Sequence, residues 1–182
     1  ATEAERDAFL ARITPTSDYS KLADCDLVIE AVFEDPRVKD ETIRKAEAAM
    51  GKDIIFASNT STLPISGLSK SFSRRDDFIG IHFFSPVDRM MLVEIIKGKE
   101  TGPRAIAAAF DFVRAIGKTP ILVNDARGFY ANRCVLKYLL EGHLMLDEGI
   151  PPAMIENAAR MAMADLGAVQ VDLRVYSTAA NP

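Results

Sequence analysis

His82 and Glu94 are set among residues that give neither of them an obvious partner. His82 lies in the apolar run Ile79-Gly80-Ile81-His82-Phe83-Phe84, and Glu94 in Leu92-Val93-Glu94-Ile95-Ile96. A carboxylate flanked by aliphatic residues is costly to bury unless something satisfies it. Only a short loop containing Ser85-Pro86-Val87-Asp88-Arg89 separates the two runs, so a His–Glu pair is the economical explanation. The carboxylate would hold the imidazole in one tautomer and stabilise the imidazolium. That would make His82 a competent general base near neutral pH. A histidine alone in such a strand reads as a satisfied core residue; Glu94 is what points to chemistry.

Two further clusters carry polar groups at places where strands should end, and a third candidate lies on a helix. Glu30 to Asp35 closes the run Asp26–Val32, and Lys39 follows about one helical turn later. Backbone there could lie along a dinucleotide, with Glu34 and Lys39 contacting ribose or amide groups. Equally, Glu34 could be an acidic residue at a helix N-terminus, favoured by the macrodipole, and composition alone favours that. Ser58-Asn59-Thr60-Ser61-Thr62 follows the run Asp53–Ala57. Its short hydrogen-bonding side chains suit a nicotinamide amide and a substrate hydroxyl, and they also suit the cap of a short helix. Asn132 shares a helical stripe with Leu136, Leu139 and His143, and an amide on an apolar stripe needs partners. Reaching the site across a domain boundary and bonding locally in the core are both open to it. His143 reads as structural.

The elements that would position these groups follow from pattern. Asp26–Val32, Asp53–Ala57, Asp77–Phe83, Met91–Lys97 and Thr119–Val123 are short, β-branched apolar runs that read as buried strands. Pro36 suits the first turn of a helix that Gly51 ends. Residues 103–116 form a second helix, closed by Gly117. Residues 2–13 read as the end of an amphipathic helix. Helices separated by strands that are apolar on both faces predict a mostly parallel sheet with helices over it. In such sheets ligands bind beyond the carboxyl ends of the strands, where the clusters above fall. After Asp125 the character becomes helical, over 129–147 and 152–163. The expected division is 1–125 and 126–182. Leu166–Pro182 has no helical period.

The 182 residues bear a net charge of −4, with 48% apolar and 26% charged residues. There is no run of Lys or Arg, so nothing suggests a nucleic-acid partner. Cys25 and Cys134 match no metal spacing and read as free thiols. No apolar stretch approaches the roughly 20 residues of a membrane span. No GxGxxG loop, the usual mark of a dinucleotide phosphate site, occurs anywhere in the chain.

Taken together, the segments ASNTST (57–62), GIHFFSPV (80–87), MMLVEIIKG (90–98), GKTP (117–120) and GFYANR (128–133) resemble, in order and spacing, the 3-hydroxyacyl-CoA dehydrogenases. The resemblance covers about residues 20–160, and its wording is most similar to the dehydrogenase segment of the bacterial multifunctional fatty-acid oxidation α-subunit. It implies a Rossmann-like sheet lacking its N-terminal phosphate-loop unit over 1–125, followed by the start of an all-α domain over 126–182. The implied reaction is NAD-dependent oxidation of (S)-3-hydroxyacyl-CoA to 3-ketoacyl-CoA. His82 matches the catalytic base and Glu94 its carboxylate partner. Val32, Glu34, Lys39, Asn59 and Ser61 match NAD contacts. Ser61 and Asn132 match substrate contacts, and so does Ser85, where many relatives carry Asn. The resemblance also implies an acyl-CoA substrate, an enoyl-CoA hydratase domain upstream, a thiolase partner, a homodimer and a bacterial cytoplasmic location.

Two departures from the family pattern temper this. The strand–glycine loop–helix and the acidic ribose contact are absent, and the helical continuation is not recognisable after about Asp165. We therefore expect an incomplete piece that binds NAD weakly, with inactivity on its own as one outcome. The alternatives are another Rossmann 3-hydroxyacid dehydrogenase, which would need a catalytic lysine where Lys137 stands without a supporting motif, and a non-catalytic acyl-CoA-binding remnant.

Overall fold

The computed structural model describes residues 2–165. Two compact units divide after Arg133. In the first, five strands form one sheet in the order β1 (Leu27–Glu30), β2 (Ile55–Ser58), β3 (Phe78–Phe83), β4 (Leu92–Lys97) and β5 (Thr119–Asn124). The β1–β2, β2–β3 and β4–β5 pairings are parallel, and β3–β4 is antiparallel. The exception has a simple cause. The loop from Phe84 to Met91 is too short for a crossover, so the chain must turn back on itself.

Side chains alternate across this sheet. Phe56, Phe78 and Ile96 face one layer with Ile43 and Ala46 of α2 (Pro36–Ala49) and Ile65 and Leu68 of α3 (Ile65–Leu68). Ile55, Ala57, Ile79, Ile81, Val93 and Ile95 face the other, with Ala105, Ala109 and Val113 of α4 (Pro103–Ala115). Burial on both faces is why the strands read as continuous apolar runs. Phe56, Phe72 and Phe78 cluster with ring centroids 5.4 to 5.7 Å apart. Gly80 lets α3 approach closely, because a Cβ there would stand 2.8 Å from Ile65 and 2.9 Å from Ile96.

Local signals set the helix ends. Asp35 caps α2 through Arg37 and Val38 N–H, with Pro36 in the first turn. Gly102 and Pro103 open α4, and Gly117 follows it with φ 74°. The helix expected within 2–13 is present as α1 (Glu3–Leu10), where Thr2 and Glu5 form a capping box.

The second unit contains most of α5 (Ala131–Asp147) and α6 (Pro152–Asp165). His143 bonds the Leu139 carbonyl one turn back at 2.8 Å, a local bond. The expectation about Leu166–Pro182 lies outside the described residues. No helix among the described residues is long and apolar enough to cross a membrane.

Candidate active site

The antiparallel turn between β3 and β4 sets His82 directly opposite Glu94 in the ladder. Their side chains meet, with His82 Nδ1 2.8 Å from Glu94 Oε2. Glu94 is fully buried and His82 is 4% exposed. The other carboxylate oxygen, Oε1, accepts from the N–H groups of Tyr130 and Ala131 at 3.0 and 2.8 Å, where α5 begins. Burial pushes the Glu94 carboxyl up. The bonds from His82, Ala131 and Tyr130 outweigh that and hold it below the ordinary carboxylate range. An ionised Glu94 fixes Nδ1 as the protonated ring nitrogen and leaves Nε2 as the lone-pair nitrogen. Nε2 has no hydrogen-bond partner among the described residues. Nor is it enclosed, because among the described residues the one buried polar side-chain atom left without a partner is Arg74 Nη1.

The ends of β1 and β2 are braced differently. Lys39 is 1% exposed and reaches back from α2 to Glu30. Its ammonium lies 3.0 and 3.1 Å from the two Glu30 oxygens, 3.2 Å from the Val32 carbonyl and 3.4 Å from Glu34 Oε2. Glu30 also accepts from Ser58 Oγ and from Val32 N–H. Lys39 thus fastens the strand end from beneath. Val32 is held at both its N–H and its carbonyl.

Glu34 is the acceptor that shapes the loop after β2. Its Oε1 takes bonds from Thr60 Oγ1 at 2.6 Å, the Ser61 and Thr62 N–H groups at 3.0 Å each and Thr62 Oγ1 at 3.1 Å. Burial pushes this carboxyl up, but bonds from Thr60 and Thr62 and the Lys39 charge outweigh it and keep it low. The Ser/Thr cluster does not cap a helix in the expected way. The N-terminus of α3 is served from a distance by Asp125, whose two oxygens accept from Ile65 and Ser66 N–H at 2.8 Å each.

Asn59 Oδ1 accepts from Phe83 N–H at 2.9 Å, tying the β2 end to the backbone next to His82. Asn132 Nδ2 donates to the Ser61 carbonyl at 2.9 Å, so the amide bonds the serine loop. Ser61 and Ser85 are exposed, the latter before a cis Pro86. The structure therefore gathers Asn59, Ser61 and Asn132 with His82 and Glu94 through backbone ties, while Ser85 stays in the β3–β4 loop without a polar contact. Lys137 is exposed in the second unit. Among the described residues, no three His, Cys, Asp or Glu gather as metal ligands.

Glu30, Asp125 and Phe129 also build this end of the sheet, and the sequence reading did not single them out. Glu30 had a usable signal, since it ends an apolar strand as Glu94 interrupts one. Asp125 and Phe129 act across long sequence distances and left none.

The sequence profile of the 3-hydroxyacyl-CoA dehydrogenase, NAD binding domain, matches residues 1–126. The chain belongs to the 3-hydroxyacyl-CoA dehydrogenase family. Fatty acid oxidation complex subunit alpha of Shewanella amazonensis is 47% identical over 148 residues, which are 81% of this chain and 21% of that protein. The same subunit of Shewanella baltica is 45% identical over equal shares. The chain thus spans about a fifth of the length of these curated relatives. Among solved structures, (S)-3-hydroxybutyryl-CoA dehydrogenase from Ralstonia eutropha is 38% identical with a TM-score of 0.79, over 83% of this chain and 53% of that one. A diketoreductase is 30% identical with a TM-score of 0.83, over 90% and 59%. The matched family domain is the NAD-binding one, and the sheet is its Rossmann-like framework.

The site has groups to spare for such a cofactor. Asn59 Nδ2 and Ser61 Oγ carry no partner among the described residues, and both stand on the loop after β2. Uncommitted donors and acceptors of this kind suit a carboxamide.

Proposed function

We propose that this chain carries the dehydrogenase chemistry of its family: NAD-dependent oxidation of the 3-hydroxyl of an (S)-3-hydroxyacyl-CoA to the 3-ketone. The observation that carries the reading is the His82 Nδ1–Glu94 Oε2 bond with Nε2 left open. When bound, NAD supplies the hydride acceptor. His82 Nε2 takes the proton of the 3-hydroxyl, and ionised Glu94 stabilises the imidazolium that results. Ser61 Oγ and the Asn132 amide are the groups we assign to the substrate oxygens, with Ser85 at the rim. Asn59, Ser61 and the Val32–Glu34 backbone would hold the cofactor. Glu34 and Lys39, the other two residues assigned to the cofactor, also shape that backbone.

The reading divides the chain into a partial NAD-binding domain, 1–125, and the beginning of the helical domain, 126–182. It extends to an acyl-CoA substrate, to an upstream enoyl-CoA hydratase domain, a thiolase partner and a homodimer in the whole protein, and to the bacterial cytoplasm. What supports the assembly is that similar proteins are named as the alpha subunit of a fatty acid oxidation complex.

The test is NADH oxidation with acetoacetyl-CoA on the chain and on His82→Ala. Turnover that falls at least about 100-fold in the variant is expected. Equal turnover in both removes His82 from the reaction, and absence of turnover in both contradicts the reading for this chain.

A further inference from the structure

Phe129 is the only non-glycine residue among the described residues with a left-handed backbone, at φ 50°. It follows Gly128, whose φ is 72°. A non-glycine residue in this region is strained and persists only where the surroundings over-determine it. Here they do so in two ways. The side chain is 1% exposed, and its ring centroid lies 5.8 Å from that of His82. The next two N–H groups in the chain, those of Tyr130 and Ala131, converge on Glu94 Oε1. The turn is anchored by Gly128 N–H to the Thr62 carbonyl at 3.2 Å and by Phe129 N–H to the Ala126 carbonyl at 3.1 Å.

We propose that Phe129 is a positioning residue for both members of the dyad: its left-handed backbone aims two N–H groups at Glu94 Oε1 while its ring packs on the His82 imidazole. Glycine would reach the same φ more cheaply, but it would leave the imidazole without that apolar wall. A β-branched residue would keep apolar bulk but resists this φ. No common residue other than an unbranched apolar one meets both demands. Phe84, 4.6 Å from the His82 ring, supplies a second aromatic contact and cannot replace the backbone function.

The kinetic part of this inference rests on His82 being the base; the structural part does not. Three variants separate the two demands: Phe129→Gly keeps the backbone and loses the ring, Phe129→Val keeps bulk and disfavours the backbone, and Phe129→Leu is the conservative rescue. The first readout is the titration of the Glu94 carboxyl by NMR in ¹³C-glutamate-labelled chain, assigned by its loss in Glu94→Gln. Glu94 is expected to titrate at higher pH in Phe129→Val than in Phe129→Gly or the parent, because the N–H bonds that favour its ionised form are displaced. Identical titration in all three, with the folded spectrum retained, overturns the backbone role. The second readout is kcat against KM for acetoacetyl-CoA. In Phe129→Gly, kcat should fall about tenfold or more with KM within about twofold, and Phe129→Leu should recover most of it. An unchanged kcat in Phe129→Gly overturns the ring's role. If no variant and no parent turns over, the functional reading fails while the titration still decides the positioning claim.

Discussion

Two buried carboxylates stand in one sheet and do opposite things. Glu30, at the end of β1, faces the ammonium of Lys39 at 3.0 Å, and both side chains are nearly inaccessible. Glu94, in the middle of β4, faces an imidazole at 2.8 Å. Lys39 spends its donors on both Glu30 oxygens and on the Val32 carbonyl, so the first pair fastens the strand end. A histidine side chain can gain and lose a proton in the physiological range, so the second pair is suited to take part in a reaction. Strand direction sorts them as well. Lys39 returns to Glu30 from the helix after a parallel strand, whereas His82 meets Glu94 across an antiparallel ladder, with the outer nitrogen left open. The first pair holds the loops that face the site, and the second is the one we propose as the reactive centre.

That contrast can be broken from either side. His82→Ala should lower kcat by about 10²–10⁴ without loss of folding, measured by NADH oxidation alongside circular dichroism. If activity loss tracked unfolding instead, His82 would belong with the fastenings. Lys39→Met should do the reverse. It leaves Glu30 buried and unpaired, so we expect a loss of about 3–5 kcal/mol in denaturant unfolding. Adding Glu30→Gln should restore much of it; an uncorrected loss would show that Lys39 matters for more than charge balance. Truncation of the aromatic cluster by Phe72→Ala should cost about 3–5 kcal/mol at a site remote from the dyad and leave KM unaltered in whatever fraction stays folded.

Smaller effects sharpen the picture. Glu34→Gln should weaken the Thr60–Thr62 loop, costing about 1 kcal/mol, since the carboxylate is partly exposed. It should raise KM for NADH more than it lowers kcat. Acid stability follows the same two glutamates. Glu34 and Glu94 are both held below the ordinary glutamate value of about 4.3. Their contribution to stability is therefore complete above that value and is lost as the pH falls through the lower folded values. Glu94→Gln should remove part of that acid dependence, read as a flatter curve of unfolding free energy against pH below about 4.3.

Much of this was legible beforehand because burial leaves a pattern. All five strands, α2 and α4 follow from apolar runs and from Pro36, Gly51 and Gly117. The His82–Glu94 contact follows from the cost of a carboxylate between Val93 and Ile95, joined with a loop too short to cross over. The structural partners of Glu34 and Lys39 were not legible. Their placement in sequence shows a helix start, while their partners Thr60, Ser61, Thr62 and Glu30 are brought in by strand pairing. Asp125 serving the N-terminus of α3 some 60 residues away, and the left-handed Phe129, depend on where the chain passes after β5. No local periodicity encodes that passage.

The central claim is that His82 and Glu94 act as one unit. A double-mutant cycle with His82→Ala, Glu94→Gln and the pair, read as kcat/KM for acetoacetyl-CoA and NADH, tests it most directly. If the account is right, the double variant is no slower than His82→Ala alone, because the carboxylate has no function left once the imidazole is gone. Losses that simply multiply would mean that Glu94 works independently of His82, and the dyad would have to be abandoned.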